Sequence, residues 1–448
     1  MTDVIADLTW RGLIADSTDL TVLRDRMADG PVTFYCGFDP TAPSLHLGNL
    51  VQILTMRRLQ DAGHRPLALV GGATGLIGDP KETGERTLND PDTVAGWVGR
   101  IEDQLRRFLA FDGPAAARMV NNLEWTEPLG AIGLLRDIGK HFSVNRMLDR
   151  EAVAARLAGG GISYTEFSYQ VLQANDFLHL HREFGCDLQT GGSDQWGNLT
   201  AGVDLIRRVT GNHVHALTTP LLVKADGTKF GKTETGTVWL DPDRTSPYAF
   251  YQFWINADDR DVGRWLRVFS FLPAEQIEEL EAATLERPHA REAQRALAAE
   301  LTTLVHGQAA TDAVVAASAA LFGRGDLTQV DPDTLSAALT EAGAVTLDRA
   351  DIDGETGAVP FVTLLARTPL VAGTSAARRA VSDGGASLNN QRITDLDHPV
   401  TAADLIDQRW LVVRKGKRHI AGVDAAELAH VAGTTPDGVD RGPRQSLL

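Results

Sequence analysis

Val32–Gly72 reads VTFYCGFDPTAPSLHLGNLVQILTMRRLQDAGHRPLALVGG, and its parsing settles the class of fold. VTFYCGF is a short run of β-branched and aromatic residues, the composition of a strand. LVQILTMRRLQDAG repeats its apolar residues at helical spacing and stops at Gly63. RPLALVGG returns to a continuous apolar run that opens into a glycine turn, as a strand covered on both faces does. Strand, helix and strand in so short a span form the repeating unit of a parallel sheet. Inside it, Pro43–Asn49 (PSLHLGN) puts an imidazole, a glycine and an amide where the helical pattern begins. A helix N-terminus presents unpaired N–H groups and the positive end of a dipole, so it can receive a phosphate or a carboxylate. Which anion it receives is the question the rest of the chain answers.

The alternation continues outward. DTVAGWVGRIEDQLRRFLAF reads as a helix, ARMVNN as a strand, YTEFSYQVLQANDFLHLHREFG as a long helix and CDLQTGG as a strand, with another helix from about Gln195. Residues 1–245 are therefore expected to form a parallel sheet wrapped by helices, with ligands at the carboxyl ends of the strands. From Ser246 the pattern turns helical, and 246–344 are expected as a separate helical domain. Acid- and glycine-rich sequence at 345–358 reads as a linker. Residues 359–422 hold nine Lys and Arg against five Asp and Glu, a small basic domain. Residues 423–448 read as a mobile tail.

Composition narrows the function. Among 448 residues, 43 Lys and Arg against 59 Asp and Glu give a net charge of −16, which excludes indiscriminate attraction to nucleic acid or anionic membrane. An RNA partner must meet a local basic patch. Cys36 and Cys186 are far apart and belong to no metal-ligand spacing, so neither a disulfide framework nor a bound metal is expected. The acidic N-terminal residues do not resemble a signal peptide, and no apolar run is long enough to span a bilayer. A cytoplasmic protein without membrane attachment is expected.

Four further clusters carry polar chemistry. GGATGLIGDP lacks the spacing of a dinucleotide fingerprint, which leaves a tight turn or an approach to a ligand. DGTKFGKT has one residue too few for a P-loop; its Lys229 and Lys232 either close over a polyphosphate or stand solvated. Tyr169, Gln173 and Asp176 share one face of the long helix, where buried polar groups must pair with protein or line a polar pocket. GGSDQWGN follows a strand and reads as a capped turn or a ligand contact.

Taken in order, YCGFDPTAPSLHLGN, GGATGLIGDP, TEFSYQVLQAND, GGSDQWGN and KFGKT resemble the signatures of bacterial tyrosyl-tRNA synthetases, which are class I aminoacyl-tRNA synthetases. PSLHLGN corresponds to the family's HIGH motif and KFGKT to its KMSKS loop. The resemblance implies a Rossmann-like catalytic domain, a helical anticodon-recognition domain and a small α+β RNA-binding domain. It implies that Tyr35 and Asp176 contact the tyrosine phenol, that Asp79, Tyr169 and Gln173 hold its ammonium group, and that Gln195 faces its carboxylate. Cys36, Gly37, Asp39, Thr41, His46, Gly48, Asn49, Gly192 and Asp194 would fall on the ATP side. Thr41, His46, Lys229 and Lys232 would stabilise the departing pyrophosphate. ATP would arrive with Mg2+, and tRNA would be the second substrate, contacted by Arg378, Arg379, Arg414, Lys415, Lys417 and Arg418. Family members are homodimers. Asn49 departs from the final histidine of HIGH, and Gly231 replaces a serine of KMSKS, which is expected to loosen that loop. A tryptophanyl-tRNA synthetase, a smaller nucleotidyltransferase and a non-catalytic RNA-binding relative are the rival readings.

Overall fold

The computed structural model describes residues 3–80, 84, 88–233, 236–323, 325–416 and 419–431. The chain divides into two units, Met1–Thr245 with Phe253–Val305, and Ser246–Gln252 with His306–Leu448. The helical stretch that follows Thr245 is thus shared between the units.

In the first unit, helices α1 (Val4–Trp10) and α2 (Leu20–Ala28) precede a five-stranded sheet of β1 (Thr33–Phe38), β2 (Arg65–Val70), β3 (Arg118–Asn121), β4 (Cys186–Gly192) and β5 (His215–Thr219). Its strand order is β3-β2-β1-β4-β5, and every pairing is parallel. Helices α3 (Leu47–Asp61), α4 (Pro91–Leu105), α5 (Tyr164–Phe184) and α6 (Trp196–Thr210) cover it. Residues 66–70 of β2 and all of β5 are buried; in β2 this is why the strand reads as a continuous apolar run rather than an alternating one, whereas β5 buries His215, Thr218 and Thr219 as well. Tyr35, Leu67, Val120, Phe177, Leu180, Leu205 and Ile206 belong to one core between the sheet, α5 and α6. Further on, Pro247–Ile255 and α7 (Asp259–Phe269) pack Phe253, Trp254, Trp265 and Phe269 into an aromatic cluster.

The second unit holds helices Gln308–Leu321 and Pro332–Glu341 and a mixed sheet. Its strands are β6 (Val345–Thr346), β7 (Ala386–Leu388), β8 (Gln391–Ile393), β9 (Trp410–Lys415) and β10 (His419–Asp424), in the order β8-β7-β9-β10-β6. Helix α8 (Thr374–Ser382) packs Ala377 and Val381 into the core of this sheet. Asn389 and Asn390, at φ 47° and 67°, form the two-residue connection between β7 and β8, a turn that Asn tolerates because its side chain relieves the left-handed conformation.

Two stretches differ in character from their sequence. Residues 345–358 have the composition of a linker, yet Val345 and Thr346 pair with Val423 and Asp424, and Leu347 and Ile352 are buried in the core. The acid and glycine content there serves a local turn, in which Asp353 accepts the N–H groups of Glu355 and Thr356 at 3.0 and 2.8 Å. Beyond Gly422, where the sequence reads as a mobile tail, Val423 and Asp424 complete β10, and a helix at Ala426–Val431 follows, with Ala425 and Leu428 buried. The low apolar content of the whole tail masks these few residues; 432–448 lie outside the described residues.

Among the described residues, no helix is long and apolar enough to cross a membrane.

Candidate active site

Chain connections leave β1 toward β2 on one side and β4 toward β5 on the other, so a crevice opens at the carboxyl ends of β1 and β4. The two strands are direct neighbours, with Tyr35 beside Gln189 and Cys36 beside Thr190. DPTAPSLHLGN leaves the end of β1, GGATG the end of β2, and SDQWGN the end of β4. The sheet alone therefore gathers three of the five clusters.

One wall is built around a buried carboxylate. Asp176, on α5, accepts from Trp125 Nε1 at 2.8 Å and Asn122 Nδ2 at 2.9 Å. Burial lifts its carboxyl to about 7, against the lowering effect of those two bonds, and the charge of Asp39 adds to the rise. Tyr35 is 1% exposed, its ring 5.3 Å from that of Phe177. Its hydroxyl is buried without a hydrogen-bond partner among the described residues. Burial pushes that phenol well above its ordinary range, and the nearby Asp176 charge pushes it further. Gln189 Oε1, on the neighbouring strand, is also buried and unpartnered among the described residues. A buried hydroxyl with no partner costs a few kcal/mol, a penalty that a polar ligand removes.

Next along the crevice lies a second carboxylate. Asp79 accepts from Gln195 Nε2 at 2.9 Å and Asn198 Nδ2 at 3.3 Å. Burial raises its carboxyl despite those bonds and the nearby Arg150 charge. Tyr169 Oη donates to Asp39 Oδ2 at 2.7 Å, and Thr74 Oγ1 donates to Asp39 Oδ1 at 2.7 Å. Asn122 Nδ2 is also within 2.9 Å of Thr74 Oγ1, which joins Asp39 and Asp176 in one network. Gly71 is required here, since a Cβ at that position would collide with the Asp39 carboxylate and the Thr74 hydroxyl. Gln173 Oε1 is buried and unpartnered among the described residues.

The third region is the mouth of α3. His46 is its N-cap; the ring Nδ1 accepts the Gly48 N–H at 3.0 Å, and Asn49 Oδ1 accepts the His46 N–H at 3.1 Å. An accepting Nδ1 puts the proton of the neutral ring on Nε2, so His46 presents a donor. Asn49 likewise commits its oxygen to the cap and keeps its amide N–H groups as donors. Cys36 is buried, its thiol pushed up to about 12 by burial, and so is no nucleophile. Gly37, Thr41 and Asp194 are exposed, and Gly192 is half-buried.

KFGKT lies against that helix. Leu47 N–H donates to Val238 O at 3.1 Å, and Val238 N–H to Gly231 O at 3.1 Å. Gly231 is buried at φ 78°, and a Cβ on it would stand 3.3 Å from Leu47 Cβ. This glycine seats the loop rather than loosening it. Lys229 is exposed; the backbone of Lys232 pairs with Thr237 in a two-stranded hairpin.

Sequence reading overlooked the residues that hold the first set in place. Asn122 and Trp125 orient Asp176, Asn198 supports Asp79, and Gln52 of α3 donates to Thr219 Oγ1 at 2.5 Å while its own oxygen stays buried and unpartnered among the described residues. NNLEW at the end of β3 carried a usable signal, because polar residues there point into the same crevice.

A family described as "tRNA synthetases class I (W and Y)" matches residues 27–323, and the C-terminal domain of tyrosine–tRNA ligases matches 343–421. The chain belongs to the class I tyrosine–tRNA ligase family. The tyrosine–tRNA ligase of Streptomyces coelicolor is 61% identical over 95% of this chain and 99% of its own length, and that of Thermobifida fusca is 60% identical over 94% and 99%. A crystal structure of a C-terminally truncated mitochondrial tyrosyl-tRNA synthetase from Aspergillus nidulans superposes with a TM-score of 0.64 at 30% identity, covering 70% of this chain and 92% of that one. A tryptophanyl-tRNA synthetase from Encephalitozoon cuniculi, at 14% identity and a TM-score of 0.52 over 75% of this chain and 91% of that one, shares the fold.

In the second unit, Arg378 and Arg379 are exposed on α8. Arg414 donates to Asn390 Oδ1 at 3.0 Å, and Lys415 Nζ to Leu370 O at 3.0 Å. Lys417 and Arg418 lie outside the described residues.

Proposed function

We infer that the chain is a tyrosine–tRNA ligase: it joins L-tyrosine to ATP, releasing pyrophosphate, and then transfers the tyrosyl group from the adenylate to the 3' end of its tRNA. The observation that carries this is the buried Tyr35 hydroxyl, unpartnered among the described residues, beside the buried Asp176 carboxylate. A substrate phenol satisfies both, donating to Asp176 and accepting from Tyr35, whereas phenylalanine would leave both unpaired. Tyrosyl-tRNA synthetases are the established example of such discrimination without an editing step.

The tyrosine carboxylate attacks the α-phosphorus of ATP in line. It is already ionised at neutral pH, so no general base is needed. Asp79, Tyr169 and Gln173 hold the ammonium group, with Gln195 toward the carboxylate; Asp39, Gly37, Gly192 and Asp194 border the nucleoside. Thr41, the Nε2–H of His46, the Asn49 amide and Lys229 with Lys232 supply donors and charge as the pyrophosphate leaves. The polyphosphate is thus the anion at the helix mouth, and Mg2+ enters on it as part of the substrate.

The tRNA is contacted by the second unit through Arg378 and Arg379, with Arg414, Lys415, Lys417 and Arg418 as further candidates. A cavity of about 210 Å³ lined by His141, Arg146, Arg150 and Arg208 supports phosphate contacts near the catalytic crevice too. Residues 1–245 carry catalysis, the helical residues 246–344 anticodon recognition, and the mixed-sheet fold that begins at Val345 RNA binding. Ile132, Leu135, Val144 and Leu157, on the successive short helices between positions 131 and 164, and Tyr164, the first residue of α5, are exposed apolar residues, which supports a homodimer; a monomer in sedimentation equilibrium would remove that part. The enzyme works in the cytoplasm.

Pyrophosphate exchange measured with each amino acid in turn tests the reading. Exchange with tyrosine alone is expected. Exchange with tryptophan, or with no amino acid, overturns it.

A further inference from the structure

Phe230 stands between the exposed Lys229 and the buried Gly231 and is itself 6% exposed. Its ring centroid lies 5.2 Å from Trp265 and 5.3 Å from Phe269, both on α7, and 5.7 and 5.9 Å from Phe253 and Trp254. Edge-on and offset contacts of this kind favour one orientation over others. The approach to the loop is tied to the same helices, since Lys224 Nζ lies 5.6 Å over the Phe253 ring and the Ala225 N–H donates to Asp261 Oδ2 at 2.9 Å.

Helix α7 also grips α3. Arg58, on α3, donates to the carbonyls of Ser270 at 2.5 Å and Val268 at 3.3 Å, at the carboxyl end of α7, and its guanidinium stacks 4.4 Å over Phe271. Arg11, at the end of α1, holds the same end of α7 through Arg267 O and Ser270 O, each at 3.0 Å. One helix therefore carries both signature segments: KFGKT through the ring of Phe230, and the HIGH helix through Arg58.

We propose that Phe230 is a positioning residue, whose ring, held in the Phe253–Trp254–Trp265–Phe269 box, fixes where Lys229 stands relative to the mouth of α3. The proposal rests on the reading that this site makes tyrosyl-adenylate. A lysine on a flexible four-carbon stem is useful only if its backbone is held, and Lys229 is exposed with nothing in its own side chain to set a register. The buried ring next to it does so, because a shift of one residue would exchange lysine and phenylalanine between solvent and box. Gly231, seated against Leu47, completes the clamp.

The test is a double-mutant cycle in the full-length enzyme, with Phe230→Ala, Lys229→Ala and the pair. Adenylate formation is read in single turnover, tyrosine affinity at equilibrium. Phe230→Ala is expected to slow adenylate formation about 10- to 100-fold with tyrosine affinity within about two-fold, and Phe230→Leu to recover most of the rate. In the Phe230→Ala background, Lys229→Ala should slow the step by less than about a third of its wild-type factor. Effects that simply multiply, or tyrosine affinity falling in step with the rate, would overturn the proposal. Should Phe230→Ala not fold, Phe230→Val, which keeps some apolar contact but has no ring to fill the box, runs the same cycle with the same two outcomes. A wild-type enzyme that forms no tyrosyl-adenylate defeats the underlying reading instead, before any variant is compared.

Discussion

Asp176 is the residue on which selectivity and stability pull in opposite directions. Its carboxyl, 3.8 in the open chain, is raised to about 7 by burial. A carboxyl raised in the folded state contributes stability that is full below about pH 3.8 and is lost as pH rises through about 7, up to about 4 kcal/mol by linkage. The ionised form that burial disfavours is the one that accepts a phenol best. Tyrosine affinity is therefore expected to strengthen as pH rises from about 6 to about 8, while denaturant-measured stability falls from about pH 4.5 to about 7.5. Asp176→Asn should flatten both profiles. It should also weaken tyrosine binding about 10- to 100-fold, since a charge-assisted bond is removed and one donor is turned against Trp125 or Asn122. Equilibrium titrations across pH check this, and unchanged slopes in the variant would assign the pH dependence elsewhere. The stripe of Tyr169, Gln173 and Asp176 was legible because a helical face is a matter of spacing. Asn122 and Trp125 were not, because their relation to Asp176 depends on β3 ending beside α5, which spacing along the chain does not encode.

At the scale of elements, the strand and helix alternation was readable where burial on both faces left a continuous apolar run, as in β2; β5, with the sequence HALTT, buries a histidine and two threonines and carried no such signal. The lie of the KFGKT loop was not. Glycine in a polar loop reads as freedom, yet Gly231 is there because its φ of 78° and the nearness of Leu47 disfavour any side chain. Gly231→Ser, which moves the loop toward the KMSKS pattern, is accordingly expected to destabilise the enzyme by about 1–2 kcal/mol, from left-handed backbone strain and the crowding of Leu47. Chemical denaturation measures it. A neutral or stabilising serine would mean that the loop leaves its seat at little cost. Residues 345–358 teach the complementary lesson: acidic and glycine-rich sequence can build a capped turn beside two short β residues at a sheet edge. Composition averages over such a stretch, whereas pairing needs only Val345 and Thr346.

The whole molecule carries a net charge of −16, so binding a polyanion has to overcome the general field with a local concentration of positive charge. Arg378 and Arg379 satisfy the geometric condition best, because they stand exposed and adjacent on α8, while Arg414 and Lys415 already donate within the unit. Replacing both by glutamate should leave tyrosine-dependent pyrophosphate exchange within about two-fold, since that reaction involves no tRNA. Charging of tRNA should behave differently. Removing one ion pair to a phosphate lowers the slope of log affinity against log salt by about one unit, so the double variant should fall about 10- to 100-fold in kcat/KM for tRNA at moderate salt and respond less steeply as salt is raised. Exchange and aminoacylation measured on the same preparation across a salt series separate the outcomes. Charging that falls together with exchange would point to damage in the catalytic unit, and charging that is unaffected would place the tRNA on another face of the protein, the arginines of the cavity at Arg146 and Arg208 being the next to replace.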